Sequence, residues 1–295
     1  MKSFLILIIS IIGFSNLIIA QEEESLLSLL GEEETTDYVT NAFKSTRVIN
    51  GASMEMLGVG TLDFRILHRF APVNRGAYEF FGLDNASMRM AFDYGVTPNL
   101  MVGIGRSTQK KEFDAFVKYR ILWQSTGKRN MPVSLIWVSG ATLNSLKNPT
   151  GYPEIKTTAA RRMGYYHQVI VGRKFSPGFS MQLSPTLVHT NITQSQIYPN
   201  DVFALGFGGR LKFTKRMAFV WDYFYAFNKF PGTLQSNPLS VGVDIETGGH
   251  VFQLHFSNAT GMNERAFVLD DNGDWFKGDI RFGFNLSRVF QLHKS

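Results

Sequence analysis

From residue 60 onward apolar and polar residues alternate one by one, and the three-and-four spacing of helices is nearly absent. Leu62, Phe64, Ile66, His68 and Phe70 share one face, with Asp63, Arg65, Leu67 and Arg69 opposite. Met88, Met90, Phe92, Tyr94 and Val96 form a second stripe. Phe113, Ala115, Val117, Tyr119 and Ile121 form a third. Met217, Phe219, Trp221, Tyr223, Tyr225 and Phe227 make a nearly all-aromatic face, and Ile280, Phe282, Phe284 and Leu286 repeat the pattern near the C-terminus. A period of two means strands with unlike faces.

The pattern predicts strands at 60–70, 87–96, 99–107, 111–122, 132–142, 163–174, 179–190, 202–213, 217–228, 238–246, 249–257 and 278–290. Most are longer than the five or six residues usual in soluble sheets. The stretch 132–142 is apolar on both faces around Trp137, so its register is weak. Short turns around Thr97-Pro98, Ser176-Pro177, Thr214-Lys215-Arg216 and Thr247-Gly248 mostly alternate with long loops, the linker 123–131 and the short loop 108–110 being exceptions. The expectation is an all-β transmembrane up-and-down antiparallel barrel of about 12 strands, with apolar residues facing lipid and a polar interior. An even strand count and short turns on one side put both chain termini in the periplasm. The piece 43–50 would break that parity as a strand, so it is read as a periplasmic or lumen-inserted segment.

Ahead of the barrel, Lys2, an apolar run from Phe4 to Ile19 and the small residue Ala20 have the layout of a secretory signal peptide over 1–20. An acidic flexible leader over 21–42 is expected next, and the barrel over 43–295. Residues 21–43 hold seven acids and no Lys or Arg. From Lys44 onward, 29 bases (all but Lys2) meet 17 acids (all but those seven), a balance of +12. These bases are scattered among Phe and Tyr instead of clustered, which argues against nucleic acid as a partner. The 295 residues are 44% hydrophobic and 14% aromatic, too apolar for a disordered chain. There is no cysteine, which excludes disulfides, thiolate metal sites and thiol catalysis.

Three segments carry a family likeness: Asn200 to Gly206 (NDVFALG), Asp244 to Phe256 (DIETGGHVFQLHF) and Gly278 to Phe284 (GDIRFGF). They resemble an uncharacterised family of Bacteroidetes-type outer-membrane β-barrel proteins, a domain of unknown function, over roughly residues 43–292. The resemblance implies a barrel in the outer membrane and supplies no catalytic residues. The final strand, ending in Arg288-Val289-Phe290, resembles the terminal signal read by the barrel assembly machinery.

On the inward face the alternation places Asp63, Arg65, Arg89, Asp93, Glu112, Asp114, Lys118, Arg120, Arg210, Asp222, Asp244, Glu246, Gln253, His255 and Arg281. These residues are expected to line either a pore or an interior network of ion pairs. Burial of so many charges requires pairing. His255 beside Asp244 and Glu246 could form an acid–base pair or a metal site, although a hydrogen-bonded lumen histidine is the ordinary alternative. Asp270-Asp271-Asn272-Gly273-Asp274 resembles part of a calcium loop without its downstream acid, so a surface turn is expected. His167 and His189 face outward, with no serine and orienting partner evident beside either. The glycines of Gly103-Ile104-Gly105 and Gly206-Phe207-Gly208-Gly209 lie inside strands and are read as relief for barrel curvature.

No metal or cofactor is expected, and no enzyme activity. The first functional expectation is a narrow channel or small-solute transporter of the outer membrane. The alternative is a non-conducting structural or docking barrel, and an outer-membrane enzyme comes third. Expected partners are outer-membrane lipid, the assembly machinery, and a solute or protein still to be identified.

Overall fold

The computed structural model describes residues 35–147, 158–193, 199–228, 236–248, 250–270 and 272–293. The signal-peptide stretch and the leader up to residue 34 lie outside the described residues. Twelve strands follow one another: β1 (Thr61–Pro72), β2 (Ala86–Thr97), β3 (Leu100–Ser107), β4 (Phe113–Leu122), β5 (Ser134–Leu143), β6 (Met163–Ser176), β7 (Phe179–Thr190), β8 (Asp201–Lys212), β9 (Met217–Ala226), β10 (Leu239–Thr247), β11 (His250–Ser257) and β12 (Arg281–Gln291). Each pairs antiparallel with the next, and β12 closes on β1 from Arg281 opposite Pro72 to Gln291 opposite Thr61. Closure leaves no unpaired sheet edge.

Burial alternates along the strands as the sequence predicts. In β1, Asp63, Arg65, Leu67 and Arg69 are buried while their neighbours are partly exposed. Phe92, Ile104, Val117, Tyr119, Phe203, Phe252 and Leu254 stand exposed on the outer wall.

The interior is filled by two inserts from opposite ends. From the short-turn end, Thr36–Tyr38 pairs with Ser125–Gly127 in the β4–β5 connection, and Tyr38 packs on Trp123 with ring centroids 4.6 Å apart. The chain then enters the barrel. Arg47 pairs with Ala52 in an antiparallel bridge, the Val48 N–H donates to the Gly51 carbonyl and the Ser53 N–H to that of Thr46. Residues 46–53 are therefore a hairpin inside the lumen, with its tip at Ile49-Asn50. From the long-loop end, the β11–β12 connection folds inward as helix α1 (Glu264–Leu269), capped by the Asn263 side chain accepting from the Ala266 N–H.

These inserts explain the weak register of 132–142. Ile136 and Val138 of β5 point inward with Tyr166 and Ile170 of β6, Val188 of β7, Val202 and Ala204 of β8 and Phe224 of β9. Against this sector pack Phe43, Val48 and Met54 of the N-terminal segment and Phe267 and Val268 of α1. The polar interior expected from the sequence thus holds for the β1–β4 wall, whereas much of the β5–β9 wall is apolar. A strand with lipid on one side and an apolar insert on the other has no polar face to show.

The strand glycines also make room for neighbouring side chains. A Cβ at Gly206 would fall 2.4 Å from the Phe224 ring, and one at Gly51 on the hairpin 2.5 Å from the same ring. Gly103 makes room for Phe116 and Asp93, and Gly105 for the Arg89 guanidinium.

Candidate functional site: the filled lumen

On the charged wall, the Arg65 Nε donates to Asp63 at 2.7 Å and lies 3.4 Å from Asp93. Ser287 donates to Asp63 from the closing strand at 2.6 Å. Arg89 meets the Asp114 carboxylate through two guanidinium nitrogens, Nε at 2.8 Å. Such forked pairs satisfy most of the lone pairs and protons that burial would otherwise strand. Arg210 lies 3.7 Å from Glu246 near the short-turn rim, where Lys44 also reaches Glu246 at 3.2 Å. Arg281 stands half-buried at the long-loop end of β12.

Other inward residues hold the inserts. Asp222 on β9 accepts the backbone N–H groups of Ile49, Asn50 and Gly51 at 3.3, 2.6 and 3.0 Å. Three successive amides converging on one carboxylate form an anion nest, so the hairpin tip is bound as an anion-binding loop binds its ligand. Lys118 donates to the Thr46 carbonyl at 3.3 Å and also to that of Glu55. Gln253 donates to the Val48 carbonyl and, at 2.7 Å, to Asp244. Arg120 donates to the Pro98 carbonyl and lies 3.8 Å over the Trp123 ring.

Glu112 is engaged by α1: Arg265 Nη2 donates to it at 2.6 Å and Asn263 at 2.8 Å. Arg265 also pairs with Asp270, which Lys110 reaches at 2.7 Å. The two inserts meet each other directly. Arg47 of the hairpin donates to both carboxylate oxygens of Glu264 in α1, at 2.7–3.0 Å, with both side chains buried. Arg69 joins the same junction by donating to Asn50 Oδ1 and to the carbonyls of Ala259 and Gly261.

The suspected cluster around His255 is not assembled. His255 lies opposite Gly242 and Gly283, and its Nε2 is 3.3 Å from Arg69, whereas Asp244 pairs with Gln253 and Glu246 lies opposite Val251. Among the described residues no group of three His, Asp or Glu is placed to hold a metal ion. Of the calcium-like run, Asp270 is tied to Arg265, Asp274 caps a short turn by accepting from the Phe276 N–H, and Asp271 lies outside the described residues.

On the outer wall the sequence reading missed two partners. Ser139 Oγ lies 2.9 Å from His167 Nδ1, and His189 Nδ1 lies 2.8 Å from Asp201. His189 Nε2 also meets Asn191 Oδ1 at 3.0 Å, and among the described residues neither pair is completed into the nucleophile, base and orienter that acyl transfer needs. Sequence reading also missed Arg47, Asn50, Glu264 and Arg265. Arg69 already stood on the inward stripe, but the other four lie in segments without a period. A cavity of about 20 Å³ remains between Ser45, Arg47, Arg65, Gln253, Asn285 and Ser287, room for about one water.

A closed barrel with an apolar outer wall and a filled polar-and-apolar interior defines a membrane β-barrel. The chain belongs to the family described as Membrane bound beta barrel domain (DUF5777), which it matches over residues 43–290. No curated protein matches the chain. Among solved structures it is similar to the NanC porin at 10% identity and a TM-score of 0.50, covering 77% of this chain and 98% of that one. An outer-membrane channel from Pseudomonas putida F1 is 13% identical with a TM-score of 0.45, covering 81% and 98%. The KdgM porin is 9% identical with a TM-score of 0.43, covering 79% and 99%. At these identities the likeness is one of fold.

Proposed function

We propose that this protein is an outer-membrane channel for a small solute, held shut from within by the N-terminal hairpin and the α1 loop. The observation that carries this reading is how inward polar side chains from several strands hold the hairpin. Asp222, Lys118, Arg69 and Gln253 hold it through its backbone amides, carbonyls and one Asn side chain. Water or a polar solute offers the same donors and acceptors, so the wall remains satisfied when the hairpin leaves. The short-turn end, where the described residues begin and end, faces the periplasm in this reading, as in other single-chain barrels. Its partners are outer-membrane lipid and, during insertion, the assembly machinery that reads the closing strand. The role is non-enzymatic.

The test is conductance in planar bilayers. Wild type should stay closed for most of the record, and Arg47→Ala with Glu264→Gln should raise the open fraction in discrete steps. A second reading, a non-conducting structural or docking barrel, is favoured by the packing of Phe43, Val48 and Met54 on the apolar sector. Silence of both proteins, with heat-modifiable gel mobility intact, would select it.

A further inference from the structure

The short-turn rim carries an unbalanced charge. Lys128, Arg129, Arg173, Lys215, Arg216 and Arg288 are exposed there, and none makes an ion pair among the described residues. At the long-loop end Arg75 meets Glu79, Lys110 meets Asp270 and Lys277 meets Asp274, while Arg106, Lys111, Lys147 and Arg161 are exposed without an ion pair among the described residues, Arg106 lying 5.4 Å over the Phe113 ring.

Two of the rim arginines share one geometry. Arg173 of β6 stands outward with its guanidinium 5.3 Å from the Phe175 ring centroid, and Arg288 of β12 stands outward 4.8 Å from that of Phe290. In both strands the aromatic is the next outward residue toward the short-turn end. Each arginine lies three residues from the end of its strand, about 10 Å of rise. Five strands lie between β6 and β12 on either side of the ring of twelve, so the motif recurs on opposite sides of the barrel. An outward arginine over an aromatic, at the depth where hydrocarbon gives way to headgroups, presents a fork of donors to an anion in that plane.

We propose that this rim is a headgroup belt for anionic phospholipid, in which Arg173 with Phe175 and Arg288 with Phe290 each grip a lipid phosphate. The occupant is a bilayer leaflet because the two arginines continue the lipid-facing wall. Lys215, Arg216, Lys128 and Arg129 extend the same positive field at the strand ends. Basic residues at a membrane surface attract anionic lipid over roughly a Debye length, so the effect is screened by salt.

The full chain, folded into phosphatidylcholine vesicles with and without phosphatidylglycerol, is heated and scored for loss of heat-modifiable gel mobility. Phosphatidylglycerol should raise the unfolding midpoint, and added salt should shrink the rise. The double variant Arg173→Gln, Arg288→Gln should lose most of that rise while keeping the wild-type midpoint in phosphatidylcholine alone. If the double variant does not insert, each single variant should lose about half of the rise. An unchanged rise in the variants, or no rise in wild type, overturns the proposal. So does a rise that emerges only after residues 21–34 are removed, because the belt would then belong to the acidic leader.

Discussion

Asp222 gathers three backbone amides of the hairpin on one carboxylate oxygen, so replacing it strands donors and not only a charge. Asp222→Ala should lower stability by about 1–3 kcal/mol, the cost of leaving buried donors unsatisfied, read as a lower unfolding midpoint in vesicles. Outside the strands, Asp279 shows the same chemistry on the long-loop side. The Asp274 N–H, then the Asn74 side chain, hold its carboxyl below the ordinary value of 3.8. A depressed carboxyl contributes its stability above the unfolded value and loses it as pH falls through the lower folded one. Protection of the Asp274 amide, relative to its intrinsic exchange rate at each pH, should therefore fall below pH 3.8, and Asp279→Asn should remove that acid dependence. None of these partners was legible in the sequence. Asp222 could be placed inward from the alternation of β9, but its ligands sit about 170 residues earlier in a stretch without a period.

Strands were the most legible elements, because a two-residue repeat sustained over nine or more positions has few other meanings. β1, β2 and β4 were read down to the facing of each side chain, since charges on one side and lipid on the other separate the two faces cleanly. β5 was legible only as an apolar run: Ile136 and Val138 meet the hairpin sector while Trp137 meets lipid. The hairpin is short and carries both apolar and polar residues because it must satisfy both walls at once. Its link to α1 is the Arg47–Glu264 pair, whose partners are 217 positions apart. Breaking one side of a buried pair costs about 3–5 kcal/mol. Arg47→Ala should therefore raise hydrogen exchange at Asn50 and Gly51 well before the strand amides, and the α1 amides should loosen with them. Protection lost in the hairpin alone would show that the two inserts move independently.

For the molecule as a whole, the barrel's exterior was legible and its interior only in part. The lipid-facing stripes are local in sequence, whereas the contents of the lumen depend on which distant segment enters it. Because Phe92, Ile104, Phe203 and Phe252 stay exposed after folding, the chain should sediment without detergent and regain heat-modifiable mobility in it. A monodisperse, detergent-free monomer would contradict the architecture.

The hairpin is synthesised before every barrel strand, yet Asp222, Ser240 and Gln253, which anchor it, arrive on β9, β10 and β11. Docking must wait until nearly the entire ring exists, so the barrel assembles before its lumen is filled. Contacts of such long sequence separation are formed slowly. Maturation should thus pass through a membrane-inserted, hollow species that gains its final rigidity in a later, separate phase.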